Sequence, residues 1–309
     1  MKIYNSIEEF PSDVSTVITT GTFDGVHTGH KVVIDRLNKI AQKKGLQSLV
    51  FTLNPHPRHV LYPEDQQLKL IHTIDEKVNA LKNTGLQNLV IYKFTKEFSR
   101  TNSVHFVRDI LVNKLNMKHM VVGFDHHFGR NREGTFENLS ELSHFYDFKL
   151  EQIKPQNIEQ VTVSSTKIRH AIIEGDIIKT NKYLSSNFSI QGIVVRGNGI
   201  GQKINFPTAN INLNCKWKIL PKNGVYAVKV DIGKEKKFGM LNIGVRPSIK
   251  DSFFSIEVHL FNFHESIYGK EIAIEFIRRI RDEKKFPNLE SLKDQLILDE
   301  KECKDLFKI

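Results

Sequence analysis

His27 and His30 stand in the run GTFDGVHTGH, residues 21 to 30. Three residues apart, their imidazoles share one face of a helix and can hold the same polyanion. Gly21, Gly25 and Gly29 permit a tight turn and close backbone approach to a ligand. A helix opening here also offers free N–H groups to a phosphate. Zinc binding needs at least a third ligand, for which only the distant His56 or His126 could serve, so metal ligation ranks well behind phosphate binding. A bare HxxH is more often a Gly-rich turn with two solvent-facing histidines, and read alone that is the favoured reading; the pair does stand where a first strand ends and its helix begins, the edge at which a doubly wound sheet binds ligands.

A second candidate lies in GIVVRGNGIGQKINFPTANINL, residues 192 to 213, with Gly197, Gly199 and Gly201. Neither GxGxxG nor GxxxxGK[ST] is present, so a dinucleotide fingerprint and a Walker lysine are both excluded. Read alone, the glycines are as consistent with a flexible hairpin as with a ligand loop. Thr208 and Asn210, two apart on an extended segment, face one side and can address one Mg²⁺. Glu257 belongs to a strand whose Ile256, Val258 and Leu260 point one way while Glu257 and His259 point the other.

Hydrophobic pattern predicts the elements that must position these groups. From Val14 to about Ile153, short apolar runs alternate with segments of helical period, the pattern of βαβ units around a parallel sheet. A strand at 14–19 feeds the histidine turn, and Val33, Leu37, Ile40 and Ala41 then recur at helical spacing until Gly45. The strand SLVFTL comes next. Thr73 to Glu76 has capping-box spacing and opens a helix ending near Gly85, before the strand NLVIYKF. Ser103 is placed to cap a helix buried through Phe106, Val107, Ile110, Leu111 and Leu115; HMVVGF follows as a strand. A shorter helix from about Leu139 and a strand near 148–153 complete the unit. Residues 164–184 read as a helical pair broken at Gly175-Asp176, and the composition changes beyond it, which sets domains of 1–184 and 185–309. From Phe188 onward, short alternating strands spaced by Gly, Pro and Asn turns predict a small antiparallel barrel, with a terminal helix over roughly 288–299.

A length of 309 residues suits two such domains. The 39% apolar and 26% charged fractions exclude disordered and fibrous classes. Cys215 and Cys303 form no CxxC pair, so neither a disulfide framework nor a thiolate zinc site is encoded. The net charge of +10 suits polyanionic partners: nucleic acid, anionic lipid or phosphorylated small molecules. Scattered lysines without a basic block weaken the nucleic-acid option. Glu8, Glu9 and Asp13 interrupt the start where a secretory signal needs an apolar stretch, and no run approaches about 18 apolar residues; a cytoplasmic location without a membrane span is expected.

The block GTFDGVHTGH resembles the HxGH signature of the nucleotidylyltransferase superfamily, in the form found in the FMN adenylyltransferase module of bacterial FAD synthetases. NPHPR (54–58), GFDHHFGRNREG (123–134) and VSSTKIR (163–169) are similar, in the same order, to that family's later nucleotide-site motifs. FPTAN (206–210) resembles the PTAN signature of riboflavin kinase, and the likeness continues through PKNGVYAV, NIGVRPS, IEVHLFNF, YGK and IRRIRDEKKF, residues 221–286. Together the blocks resemble the bifunctional riboflavin kinase/FMN adenylyltransferase family over nearly the whole chain.

That resemblance implies an α/β fold: an N-terminal Rossmann-like nucleotidylyltransferase domain with a parallel sheet, then a riboflavin-kinase-like antiparallel β-barrel with a terminal helix. It implies riboflavin, FMN, FAD, ATP, ADP and diphosphate as ligands, Mg²⁺ as cofactor, and neither nucleic acid nor membrane as partner. His27 and His30 would be catalytic at the first site, with Gly21, Phe23, Asp24, Gly25, Gly29, Asn54, Ser164, Ser165, Thr166 and Arg169 around ATP. Pro55, Pro57, Asp125, Arg278 and Arg281 would meet flavin. At the second site Gly197, Gly199, Gly201, Thr208 and Asn210 would bind ATP, Thr208 and Asn210 the metal, and Glu257 would be the general base. His126, Asn205 and Ser248 depart from the family pattern, although Asn tolerates a left-handed backbone better than most residues. The chemistry suits the residue types: FMN's phosphate is already an anion and needs charge-stabilising donors, whereas riboflavin's alcohol must lose a proton. Two rivals predict other behaviour. A basic RNA-binding or flavin-sensing protein on an inactive transferase fold would show salt-dependent binding without turnover. A cytidylyltransferase fused to an unrelated barrel would use CTP and ignore flavins.

Overall fold

Strand and helix alternate along the first half because each apolar run is short and each is followed by a cap and an amphipathic turn. The computed structural model describes the chain except residues 66, 125–127, 131–132, 159–160, 198, 234 and 247–252, and except the side chains of 157, 158, 161, 200, 203, 245, 246, 253 and 254. By its contacts the chain divides into two compact units, Met1–Ser165 and Thr166–Ile309.

The first unit holds a six-stranded parallel sheet in the order β1-β4-β3-β2-β5-β6, formed by β1 (Lys2–Tyr4), β2 (Thr16–Thr20), β3 (Gln47–Asn54), β4 (Asn88–Lys93), β5 (Met117–Gly123) and β6 (Lys149–Ile153). Neighbouring strand residues feed opposite cores. Ile18, Leu49, Phe51, Val90, Met120 and Val122 pack in one cluster, and Val17, Val50, Leu89 and Val121 in another, so the sheet is buried on both faces. Helix α1 (Thr28–Lys44) covers the second face through Val33, Ile34, Leu37, Ile40 and Ala41, and Gly45 ends it in the left-handed region at φ 66°. Short α2 (Pro57–Leu61) is followed by α3 (Ile74–Lys82), which opens on the Thr73–Glu76 capping box predicted from spacing. Asn102, rather than Ser103, caps the next helix: its side chain accepts from His105 N at 2.8 Å. That helix, α4 (Ser103–His105), runs on into nine residues of wide π-type turns, Phe106–Lys114, which bury Phe106, Val107 and Leu111. Helix α5 (Phe136–Phe145), a two-rung hairpin of β7 (Asn157–Ile158) and β8 (Val161–Thr162), and the start of α6 (Ser165–Glu174) complete this unit.

In the second unit, α6 and α7 (Ile177–Leu184) are separated at Gly175 and Asp176, the break the sequence predicts. The pair counts with the barrel by its contacts: Asn181 Nδ2 donates to Phe276 O at 2.9 Å, and its Oδ1 accepts from Phe188 N at 2.8 Å. The closed barrel runs β10-β13-β12-β11-β14-β9, from β9 (Ser189–Val195), β10 (Ala209–Leu213), β11 (Gly224–Ile232), β12 (Glu235–Arg246), β13 (Phe253–Leu260) and β14 (Glu271–Asp282). Closure removes the free edges an open six-strand sheet would expose. The one-turn helix α8 (Ile200–Lys203) precedes β10. Helix α9 (Leu289–Phe307) is longer than predicted and buries Cys303 beside Val225, Ala227, Met240 and Phe261.

An ion pair fastens α9 to the barrel. Arg281 Nε and Nη2 meet Asp299 at 2.8 and 2.7 Å, with Gln295 Nε2 donating to the same carboxylate at 2.9 Å. The Asp299 side chain is 2% exposed and that of Arg281 14%. Asp299→Ala leaves the guanidinium buried without its counter-ion and is expected to cost about 3–5 kcal/mol. Trp217 is the single tryptophan and belongs to this unit, so its fluorescence during urea unfolding measures the loss. A change below about 0.5 kcal/mol would assign the anchoring to the apolar contacts alone.

Candidate active sites

The histidine turn is built by strained backbone and one buried carboxylate. Phe23 and Val26 hold φ of 48° and 39°, and Gly25 lies at 93°, so the chain reverses within a few residues between β2 and α1. Asp24, 2% exposed, accepts from Ile71 N at 3.1 Å and from His72 N at 3.0 Å. These two bonds tie the loop before α3 to the turn. Ser165 Oγ donates to Asp24 O at 2.9 Å, which brings the closing serine motif onto the same turn.

His27 caps α1, its Nδ1 accepting from His30 N at 3.4 Å, and the two rings stack with centroids 3.7 Å apart. Phe23 lies against His30 at 5.0 Å between centroids. Burial, with His27, Lys77 and His72 nearby, holds His30 well below the usual histidine range, and its Nδ1 is buried without a hydrogen-bond partner. At neutral pH His30 is therefore an uncharged imidazole, one nitrogen a donor. Gly29 is confined by the same ring: a Cβ there would sit 3.2 Å from His27 Cε1.

Asn54 ends β3, is joined to Pro55 by a cis peptide bond, and accepts from Phe94 N through its carbonyl at 3.0 Å. Pro57 begins α2. Ser164 precedes α6, whose first turns carry Thr166 and Arg169; these two residues belong to the second unit. Asp125, His126 and Ser248 lie outside the described residues. Two residues that motif reading missed join the turn: His72 and Lys77, 6% and 7% exposed.

The barrel site gathers around Glu257. Thr208 Oγ1 donates to Glu257 Oε2 at 3.1 Å, and Asn210 pairs with Glu257 in the β10·β13 register. Asn242 pairs with Glu257 from the other side, on β12. The predicted alternation holds, with Ile256, Val258 and Leu260 at 5%, 1% and 7% exposure and Glu257 and His259 less buried. His259 Nδ1 lies 2.8 Å from Pro207 O, fixing the start of the PTAN segment. Asn205 adopts φ 64°, as expected of a left-handed turn residue.

A cleft of about 220 Å³ beside this carboxylate is lined by Gly197, Gly199, Gly201, Thr208, Arg196 and Tyr268, the last two in cation–π contact at 5.7 Å. Two of its glycines are sterically required. A Cβ on Gly201 would lie 2.2 Å from Phe206 O, and one on Gly197 would lie 2.0 Å from Asn210 Nδ2. Gly197→Ala is thus expected to push the Asn210 amide aside and lower turnover at this site by roughly 10–100-fold, with the urea midpoint unchanged; undiminished turnover would show that Asn210 need not hold its place. Among the described residues no three His, Cys, Asp or Glu side chains converge as a metal cage. The oxygens of Thr208, Asn210 and Glu257 fit Mg²⁺ held by few protein ligands plus phosphate and water.

Arg278 and Arg281, expected from the resemblance to meet flavin, also make contacts to α9 and to their own strand: Arg278 Nη2 meets Glu302 at 3.2 Å, Arg281 Nε and Nη2 meet Asp299, and Arg281 Nη1 donates to Asp282 O.

A parallel α/β unit with paired histidines at its first strand end, followed by a closed barrel whose Thr208 stands on a glycine-walled cleft and bonds Glu257, is the arrangement of a phosphate-handling transferase. The FAD synthetase family model matches residues 10–167 and the riboflavin kinase model residues 184–307. The bifunctional riboflavin kinase/FMN adenylyltransferase of Listeria monocytogenes is 37% identical over 96% of this chain and 94% of its own length. That of Escherichia coli is 32% identical over 94% and 92%. The chain belongs to this family of bifunctional enzymes. A solved structure from Streptococcus pneumoniae titled a macrolide-efflux protein is 31% identical and superimposes with a TM-score of 0.88 over 97% of both chains. No described helix of the present chain is long and apolar enough to cross a membrane.

Proposed function

We propose that the barrel transfers the γ-phosphate of ATP to the ribityl alcohol of riboflavin, giving FMN and ADP, and that the α/β unit transfers the adenylyl group of a second ATP to FMN, giving FAD and diphosphate. Thr208 on a glycine-walled cleft, bonded to Glu257 and with Asn210 opposite Glu257 in the strand register, in a chain of this family, carries the reading.

At the kinase site the Glu257 carboxylate takes the proton of the riboflavin hydroxyl as the oxygen attacks phosphorus, and Thr208 Oγ1 orients that carboxylate. Thr208 and Asn210 would hold Mg²⁺, which when bound supplies positive charge to the ATP phosphates. Gly197, Gly199 and Gly201 let the backbone close on them, and Arg196 with Tyr268 forms the outer wall. At the adenylyl site no base is required, because FMN's phosphate is already ionised. His27 and His30 donate to the phosphates of ATP, with Gly21, Phe23, Asp24, Gly25 and Gly29 shaping the turn. By the family resemblance Asn54, Ser164 and Ser165 complete the nucleotide contacts, and Pro55 and Pro57 the flavin side. Residues 1–184 and 185–309 are the corresponding functional domains. Net positive charge suits these anionic substrates, in a cytoplasmic enzyme independent of nucleic acid and membrane.

The test incubates the purified protein with riboflavin, ATP and Mg²⁺ and separates the flavins chromatographically. FMN appearing first and FAD after it is the expected result. Absence of both, with salt-dependent RNA binding, would replace this reading with that of an inactive transferase fold.

A further inference from the structure

Lys77 lies in the opening turns of α3 with only 7% of its surface exposed, deeper than lysines ordinarily go. Among the described residues its ammonium makes neither a hydrogen bond nor an ion pair, an arrangement that is costly unless an anion arrives. Its place is fixed by long-range bonds. The loop before α3 donates Ile71 N and His72 N to Asp24, and the Thr73–Glu76 capping box starts the helix at once. Lys77 thereby comes within electrostatic reach of Asp24 and His30. Asp24, which accepts from two backbone amides, favours the charged ammonium while burial opposes it.

We propose, resting on the adenylyl-transfer reading above, that Lys77 is a further phosphate-binding residue of this site, its ammonium supplying beside His27 and His30 a full positive charge to the triphosphate of ATP. Neutral imidazoles donate single hydrogen bonds, whereas the triphosphate carries several negative charges; a buried cation is the missing complement. Burial pushes the Lys77 ammonium down to about 8, with Asp24 pulling the other way. The groups facing it are Asp24 on the turn and His30 on α1, and His27 and His72 stand beyond, against His30. Below about pH 8 the ammonium is charged and attracts ATP; as pH rises through that value the proton leaves and the attraction is lost.

The experiment uses the full chain and measures FMN adenylylation between pH 6.5 and 9.5 for the wild type, Lys77→Met and Lys77→Arg, with the far-ultraviolet circular dichroism of each preparation as the control for folding of the α/β unit and riboflavin phosphorylation as that for the barrel. Lys77→Met should lose about 10–100-fold in kcat/KM for ATP in adenylylation, as expected for one charged hydrogen bond, and keep phosphorylation within about twofold. The wild-type kcat/KM should fall above about pH 8, and the alkaline limb should be absent from Lys77→Arg, because guanidinium does not deprotonate in this range. Adenylylation by Lys77→Met within about threefold of wild type overturns the proposal, as does an alkaline limb that persists in Lys77→Arg. A wild-type profile flat to pH 9.5 overturns it without any variant. Failure of the underlying reading looks different: the wild type would make no FAD at any pH.

Discussion

Glu257→Gln is expected to lower riboflavin phosphorylation by about 10²–10⁴-fold while FMN adenylylation by the same preparation stays within about twofold. The primary alcohol of riboflavin ionises far above neutral pH, so its proton must pass to a base as the oxygen attacks. The geometry offers Glu257, oriented by Thr208 Oγ1 at 3.1 Å and flanked by Asn210 and Asn242 on the neighbouring strands. An amide at this position still accepts from Thr208, so the strand pairing and the PTAN segment stay in place. What it cannot do is take the proton. Separating flavins after timed incubations with riboflavin or with FMN reads the two activities independently. Phosphorylation that survives the substitution would remove Glu257 from the role of base. Equal loss of both activities in a folded variant would show that the two sites are not separate.

Each candidate centre was legible through a local motif. GTFDGVHTGH folds onto itself, with His27 bonded to His30 N and the rings stacked, and FPTAN opens the strand β10, whereas its partner Glu257, 49 residues beyond Thr208, was reached only through the family resemblance. The Thr73–Glu76 capping box and Asn205's left-handed turn were legible for the same reason. What pattern reading missed depends on distant partners. His72 and Lys77 join the first site only because Asp24 accepts from the loop before α3, a connection spanning 47 and 48 residues. A local signal did exist: Lys77 stands one turn before the buried Leu81 of an amphipathic helix, on the face where an apolar residue would be ordinary. The ion pairs of Arg278 and Arg281 were not legible because α9 runs to Phe307, longer than its pattern suggested, and brings Asp299 and Glu302 against β14. Strand β1, three residues at the sheet edge, is too short for any periodicity to reveal. Asn102 displaced Ser103 as a cap because both side chains can fill the role, and one register step decides between them.

His30→Ala should have the opposite consequence to Glu257→Gln: FMN accumulates and FAD formation falls by about 10²–10³-fold, the cost of removing one preorganised donor from a developing anion. The side chain is held for that role by the His27 stack on one side and Phe23 on the other, so it needs no reorganisation when diphosphate departs. His27 keeps its place in the variant, because its Nδ1 accepts from the backbone N–H of residue 30, which alanine retains. Riboflavin phosphorylation therefore continues and supplies the FMN that collects. The protonation state gives a second readout on the wild type. Burial and the neighbouring His27, Lys77 and His72 keep the His30 imidazole neutral well below the usual histidine range, so its ring resonances in NMR should not titrate as pH falls through about 6.5. A His30 resonance that titrates near 6.5 would mean that the ring is solvated like that of a surface histidine. FAD formation in His30→Ala within about threefold of wild type would shift the phosphate contacts to His27 and Lys77.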